Sequence, residues 1–202
     1  MKARQALSRT GYTVRGTSLA EVARSMAQKC PRDPFGVPRL SGAGCDVEIS
    51  HDLADGDLRF ETRAASSPLE VKATLTGGTM LCSCELIYPK IASESDLKPL
   101  ALKEWKRFRI AAEKHALALA AAYLALTEKL AAELAEVSAV GKAKDEKAAK
   151  AEARRAVGAI LDNKYDAAAI KLRIKFAAKL YNARTRNGAA KGALLNIKVR
   201  DG

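Results

Sequence analysis

The chain has 202 residues, 48% of them hydrophobic and only 5% aromatic. It is long enough to bury the core of one generous domain, and its abundance of alanine disfavours an aromatic-packed β-sandwich. Lys and Arg number 35 against 23 Asp and Glu, a formal net charge of +12 with a pI near 9.7, which points to an anionic partner such as nucleic acid, an acidic protein or an anionic surface without choosing among them.

In chain order, Tyr12–Val14 is a short β-prone run closed by Gly16. Ser18-Leu19-Ala20-Glu21 has the form of a capping box, and Leu19, Val22, Ala23 and Met26 follow at helical spacing. That helix is expected to stop at Cys30-Pro31, because proline disfavours helix in the residue before it. Pro31–Gly44 reads as a loop. Four β-like runs come next, Asp46–Ser50, Leu58–Thr62, Leu69–Leu75 and Met80–Tyr88, with turn signals at Asp55-Gly56 and Gly77-Gly78. The alternation in Leu69–Leu75 suits a half-buried antiparallel strand.

From Pro99, a residue suited to a first helical turn, a helix is expected to about Val137. Trp105, Phe108, Ala112, His115, Leu119, Ala122 and Leu126 recur along it at steps of three and four. Gly141 reads as a break, followed by a charged helix over about Ala143–Leu161 and a third over about Tyr165–Tyr181. On that third helix Lys171, Lys175 and Lys179 form one stripe and apolar residues fill most of the rest. It is expected to be largely buried, with Arg173 snorkelling or paired. Ala193–Val199 reads as a last strand. The fold expected is α+β, with a small antiparallel sheet and one short helix packed on about three longer C-terminal helices. Residues 1–90 form a mainly β subregion and 91–202 a helical one with a short terminal strand, together one domain.

Three stretches carry a family resemblance. They are Tyr12-Thr13-Val14-Arg15-Gly16 with Ser18-Leu19-Ala20-Glu21, Glu104-Trp105-Lys106-Arg107-Phe108 with His115, and Tyr181-Asn182-Ala183-Arg184-Thr185-Arg186-Asn187-Gly188 with Lys191-Gly192-Ala193. In order and spacing they resemble a domain family of otherwise unknown function described as bacterial secreted zinc-dependent proteases. The resemblance implies a metalloprotease-like fold and a His-Glu-x-x-His helix, on which two histidines chelate zinc and the glutamate serves as general base. It also implies a later turn that offers a further histidine. In this chain His115 matches the first histidine, Ala116 stands at the base, Leu119 at the second histidine and Asn187 at the later one; Asn182 replaces the acidic residue after the tyrosine. With only His51 and His115 in the chain, such a site cannot be assembled, and Leu119 would fill it with hydrocarbon.

The resemblance therefore implies a non-catalytic pseudoprotease with no metal and no cofactor. The degenerate site, the high positive charge and the missing export signal together lead to the expectation of a structural or protein-interaction component, by self-assembly or with a protein partner, as in a phage-like particle. One alternative is a basic nucleic-acid-binding protein, using Lys171, Lys175, Lys179, Arg184, Arg186 and Lys191 on the phosphate backbone, although no helix-turn-helix, zinc-finger or RNA-binding signature accompanies them. Another is a residual zinc metallopeptidase with an unorthodox site at His115. His51-Asp52 has no nucleophile tied to it by a local motif, and Ser41–Gly44 lacks the lysine of a phosphate-binding loop. Cys30, Cys45, Cys82 and Cys84 can be buried thiols, disulfide partners or scattered zinc ligands. No stretch is long and apolar enough to span a bilayer, since the most apolar, Ala116–Leu126, is too short. Met1–Arg9 lacks the apolar region of an export signal, which leads to the expectation of a cytoplasmic or virion-associated protein.

Overall fold

A computed structural model of the chain describes residues 1–32, 41–53, 56–64, 68–186 and 188–199. The protein is α+β, and its described residues form the strands β1 (Lys2–Val14), β2 (Gly42–Ser50), β3 (Leu58–Ala64), β4 (Leu69–Leu75), β5 (Thr79–Ile91) and β6 (Ser138–Ala143) and the α-helices α1 (Leu19–Lys29), α2 (Pro99–Ala135), α3 (Glu146–Lys164) and α4 (Ala167–Thr185). The chain forms two compact units. One gathers Met1–Ala6, Asp46–Cys82 and Leu124–Phe176; the other gathers Leu7–Cys45, Ser83–Tyr123 and Ala177–Gly202. Strands β1 to β5 all end by Ile91, and β6 follows the long helix α2.

Among the described residues the strands form two sheets of three rather than one small sheet, in the orders β1-β5-β2 and β3-β4-β6. In the first, the Lys2 amide donates to the Gly78 carbonyl and the Ala92 amide to the Val14 carbonyl. Residue numbers therefore rise together along β1 and β5, and that pair is parallel. Cys45 is bonded to Cys84, and the Ser50 carbonyl stands beside Gly78, so β2 runs against β5.

The second sheet is antiparallel throughout. Leu58 faces Leu75 across β3 and β4, and Leu69 faces Ala143 across β4 and β6. The alternation expected of β4 is present, with Val71, Ala73 and Leu75 buried on one face. Helix α3 packs on β4 and β6 through Ala149, Ala153, Val157 and Leu161, a buried row at a spacing of four. Asp145 caps its start by accepting from the Ala148 amide at 2.8 Å. The strand β6 was not anticipated. Gly141, read as a helix break, is a buried strand residue opposite Val71, and the backbone of α3 crosses directly over it.

In the other unit α1 begins as a capping box. The Ser18 hydroxyl accepts from the Glu21 amide at 3.3 Å, while the Glu21 carboxylate accepts from the Thr17 amide at 2.8 Å. The core there joins Tyr12, Val14, Leu19, Val22, Met26, Ile87, Trp105, Phe108 and Ala112, with the Trp105 and Phe108 rings 5.6 Å apart. The short run Tyr12–Val14 is the end of the thirteen-residue β1, whose earlier residues are mostly exposed and polar.

Two expectations are overturned at the C-terminal end. Ala193–Val199 is not a strand, because its backbone groups bond to side chains of α2 instead of to a neighbouring strand. Helix α4 is not largely buried. Ile170 and Ile174 point inward, but Leu172, Phe176 and Leu180 are exposed along with the lysines. Arg173 pairs with Glu133 at 2.8 Å and lies over the Tyr165 ring at 5.5 Å. Of the turn signals, Gly77 bonds back to Asp57. Asp55, and most of the Pro31–Gly44 loop, lie outside the described residues, while Gly42–Gly44 opens β2 as extended strand.

Candidate functional site

Helix α2 presents its middle turns to the interior. Ala112, His115, Ala116 and Leu119 are all buried there. The Tyr181 ring packs on the His115 imidazole with centroids 5.4 Å apart. Below Tyr181 helix α4 ends in a tight turn. The Thr185 hydroxyl donates to the Tyr181 carbonyl at 2.9 Å and accepts from the Gly188 amide at 3.4 Å. Arg186 and Gly188 both take positive φ, +48° and +87°. A Cβ at Gly188 would lie 3.1 Å from the imidazole and 2.9 Å from the Ala193 methyl. Glycine is therefore needed twice over, for the left-handed backbone and for the approach of the turn to the ring.

The Tyr181–Gly188 turn stands beside His115, through the Tyr181 ring and Gly188. Asn187 itself lies outside the described residues. Ala116 and Leu119 offer no donor atom to a metal or to a water molecule. His51 is exposed just after β2 and belongs to the other unit. Among the described residues, no group of three His, Cys, Asp or Glu side chains with converging ligand atoms includes His115. A single imidazole beside a phenol can bond and pack, but it cannot chelate an ion as three or four ligands do.

The cysteines divide into two kinds. Cys45 and Cys84 form a disulfide, which removes both from any thiolate site, and Cys30 and Cys82 are buried thiols outside that bridge. Burial pushes the Cys82 thiol up, with a hydrogen bond to Thr127 opposing it. Lys171, Lys175 and Lys179 line one exposed row of α4; Arg184 falls on the next row, behind Leu172, Phe176 and Leu180; Arg186 is exposed beyond the helix end. The Lys191 side chain lies outside the described residues.

Sequence reasoning missed one polar cluster. Glu104 is buried on α2 and accepts from Arg107 twice, Nε at 2.6 Å and a terminal nitrogen at 2.7 Å. Arg107 also donates to the Gly192 carbonyl at 2.7 Å and the Leu194 carbonyl at 2.8 Å, and the Asn196 amide donates to Glu104 at 2.8 Å. The pair holds the C-terminal segment by its backbone. The Arg107 guanidinium beside Glu104 keeps its carboxyl below the usual range, against a desolvation cost. The carboxylate in turn raises Arg107. An acidic and a basic residue three apart on a helix were the available signal.

Residues 9–172 match the model of DUF922, a bacterial protein family of unknown function. The chain belongs to that family. No curated protein and no solved structure is similar enough to match. The DUF922 match takes in His115, Ala116 and Leu119 and ends on Leu172 in α4, ahead of the Tyr181–Gly188 turn.

Proposed function

We propose that this DUF922 protein is a non-catalytic pseudoprotease that serves as a structural or protein-interaction component. The observation that carries the reading is on α2. The positions that a His-Glu-x-x-His helix would give to a general base and a second histidine hold Ala116 and Leu119, and both are packed in the interior. Hydrocarbon there supports a closed site, since well-packed apolar atoms in place of polar ones commonly stabilise a core. The Cys45–Cys84 disulfide favours an oxidising setting over a reducing cytosol, which fits an exported protein or an assembled particle.

Metal content per chain on freshly purified, tag-free protein, read by elemental mass spectrometry beside a general peptidase assay, tests the proposal. The expected result is sub-stoichiometric metal and no peptidase activity. His115→Ala is then expected to cost about 1–2 kcal/mol of stability through lost packing on Tyr181 and to change nothing else. Near-stoichiometric zinc that disappears in His115→Ala together with a peptidase activity would overturn the reading in favour of a residual metallopeptidase.

A further inference from the structure

We propose that the outward face of α4 docks on an anionic phospholipid surface. The inference goes beyond the pseudoprotease reading and does not depend on it.

Helix α4 carries two neighbouring rows at a spacing of four. One is Lys171, Lys175 and Lys179; the other is Leu172, Phe176 and Leu180, continued by Arg184. The apolar row is exposed, with relative accessibilities of 68%, 62% and 46% for its three members, whereas Ile170 and Ile174 take the inward face. Large apolar side chains this exposed in contiguous order mark an interaction surface. The row from Leu172 to Leu180 is about 12 Å long at 1.5 Å of rise per residue. It is bordered by lysines along one side and ends in Arg184, and no Asp or Glu occurs anywhere in Ala167–Thr185.

Charge and shape select the occupant. A second copy of the same face would bring lysine rows together, a like-charge contact that costs association. A nucleic-acid backbone would gain from the lysines, but it has no use for the apolar row of Leu172, Phe176 and Leu180 beside them. An acyl–headgroup boundary matches both rows at once. The apolar side chains enter it, and the long lysine stems let the ammonium groups rise to the phosphates. The face is a convex helix ridge, the form that lies in the plane of an interface.

The test is co-sedimentation of the full chain with vesicles of phosphatidylcholine alone and of phosphatidylcholine mixed with phosphatidylglycerol. Binding is expected on the mixed vesicles only, weakening as salt is raised. Leu172→Ser with Phe176→Ser, and separately Lys171→Glu with Lys175→Glu and Lys179→Glu, are each expected to lower the partition coefficient by about tenfold or more. All of these side chains are exposed, so the circular dichroism of both variants should match the parent. Failure to bind the mixed vesicles overturns the proposal, as does binding that survives the leucine and phenylalanine changes. Retention of duplex DNA lost in the lysine variant but kept in the serine variant would assign the face to nucleic acid and overturn it. A change of oligomeric state in the serine variant, read by sedimentation velocity, would assign the face to self-association and overturn it equally.

Discussion

Glu104 is the one acidic side chain buried among the described residues, and its burial is compensated by three hydrogen bonds. Two come from Arg107 one turn along the same helix and one from the Asn196 amide of the C-terminal segment. Charge-assisted bonds of this kind are stronger than neutral ones. Because the Arg107 side chain is about half exposed, solvent screening holds the gain down. Glu104→Gln is expected to destabilise the protein by about 1–2 kcal/mol in urea unfolding, since the amide keeps the shape and loses the charge. The pH dependence has a definite sign. Arg107 lowers the carboxyl in the folded state, so the contribution is complete above the ordinary carboxylate range and is lost as pH falls through the depressed folded value. The gap between parent and Glu104→Gln midpoints should therefore be full at neutral pH and shrink in acid. A gap that grows on acidification would contradict the assignment. The capping pair Ser18 and Glu21 was legible in the sequence because it is local. The Glu104 cluster was not, because its partners Gly192, Leu194 and Asn196 come to it only through tertiary structure.

Gly141 shows the same limit for a whole element. In sequence it separates two helical patterns and reads as a breaker. In the fold it sits in β6, where an added Cβ would lie 2.2 Å from the Ala149 carbonyl oxygen and 2.4 Å from the Ala153 nitrogen. Both are backbone atoms of a packed helix, so no side-chain rotation can relieve the clash. Gly141→Ala is expected to cost at least about 3 kcal/mol, while Val140→Ala on the same strand stays within about 1 kcal/mol, both from urea unfolding. Equal effects would show that α3 does not rest on that glycine. Strand β4 was legible because Val71, Ala73 and Leu75 alternate with polar residues over its whole length. For α4 the periodicity was read correctly and its orientation was not. Ile170 and Ile174 form one apolar side and Leu172, Phe176 and Leu180 another, and nothing in spacing alone says which side meets the core. Ala193–Val199 has strand-like composition, but Glu104 and Arg107 hold it by the backbone in an irregular course.

For the molecule as a whole the disulfide is the strongest single link between distant parts of the sequence. Cys45 and Cys84 are 39 residues apart, and closing a loop of that length restricts the unfolded chain by an amount worth about 2–4 kcal/mol. Cys45→Ser, or reduction of the parent, is expected to lower unfolding free energy by that amount. The unfolded, unreduced parent should show two reagent-titratable thiols, those of Cys30 and Cys82. Four free thiols in protein isolated without reductant would remove both the bridge and the argument for an oxidising compartment. The α+β class and the order of most elements followed from the sequence. The partition into units did not, because β1, β2, β5, α2 and α4 each begin in one unit and end in the other.

That interleaving bears on how the protein can be cut. Each unit is assembled from three separate stretches of chain, so any contiguous fragment that contains one whole also carries two of the three stretches of the other. A fragment trimmed to the family match, 9–172, would take residues from both at once, the Met1–Ala6 end of one and the Ala177–Gly202 end of the other. Neither unit is a cassette that gene fusion or a protease could lift out intact. The smallest piece of this sequence that carries a complete unit is nearly all of it.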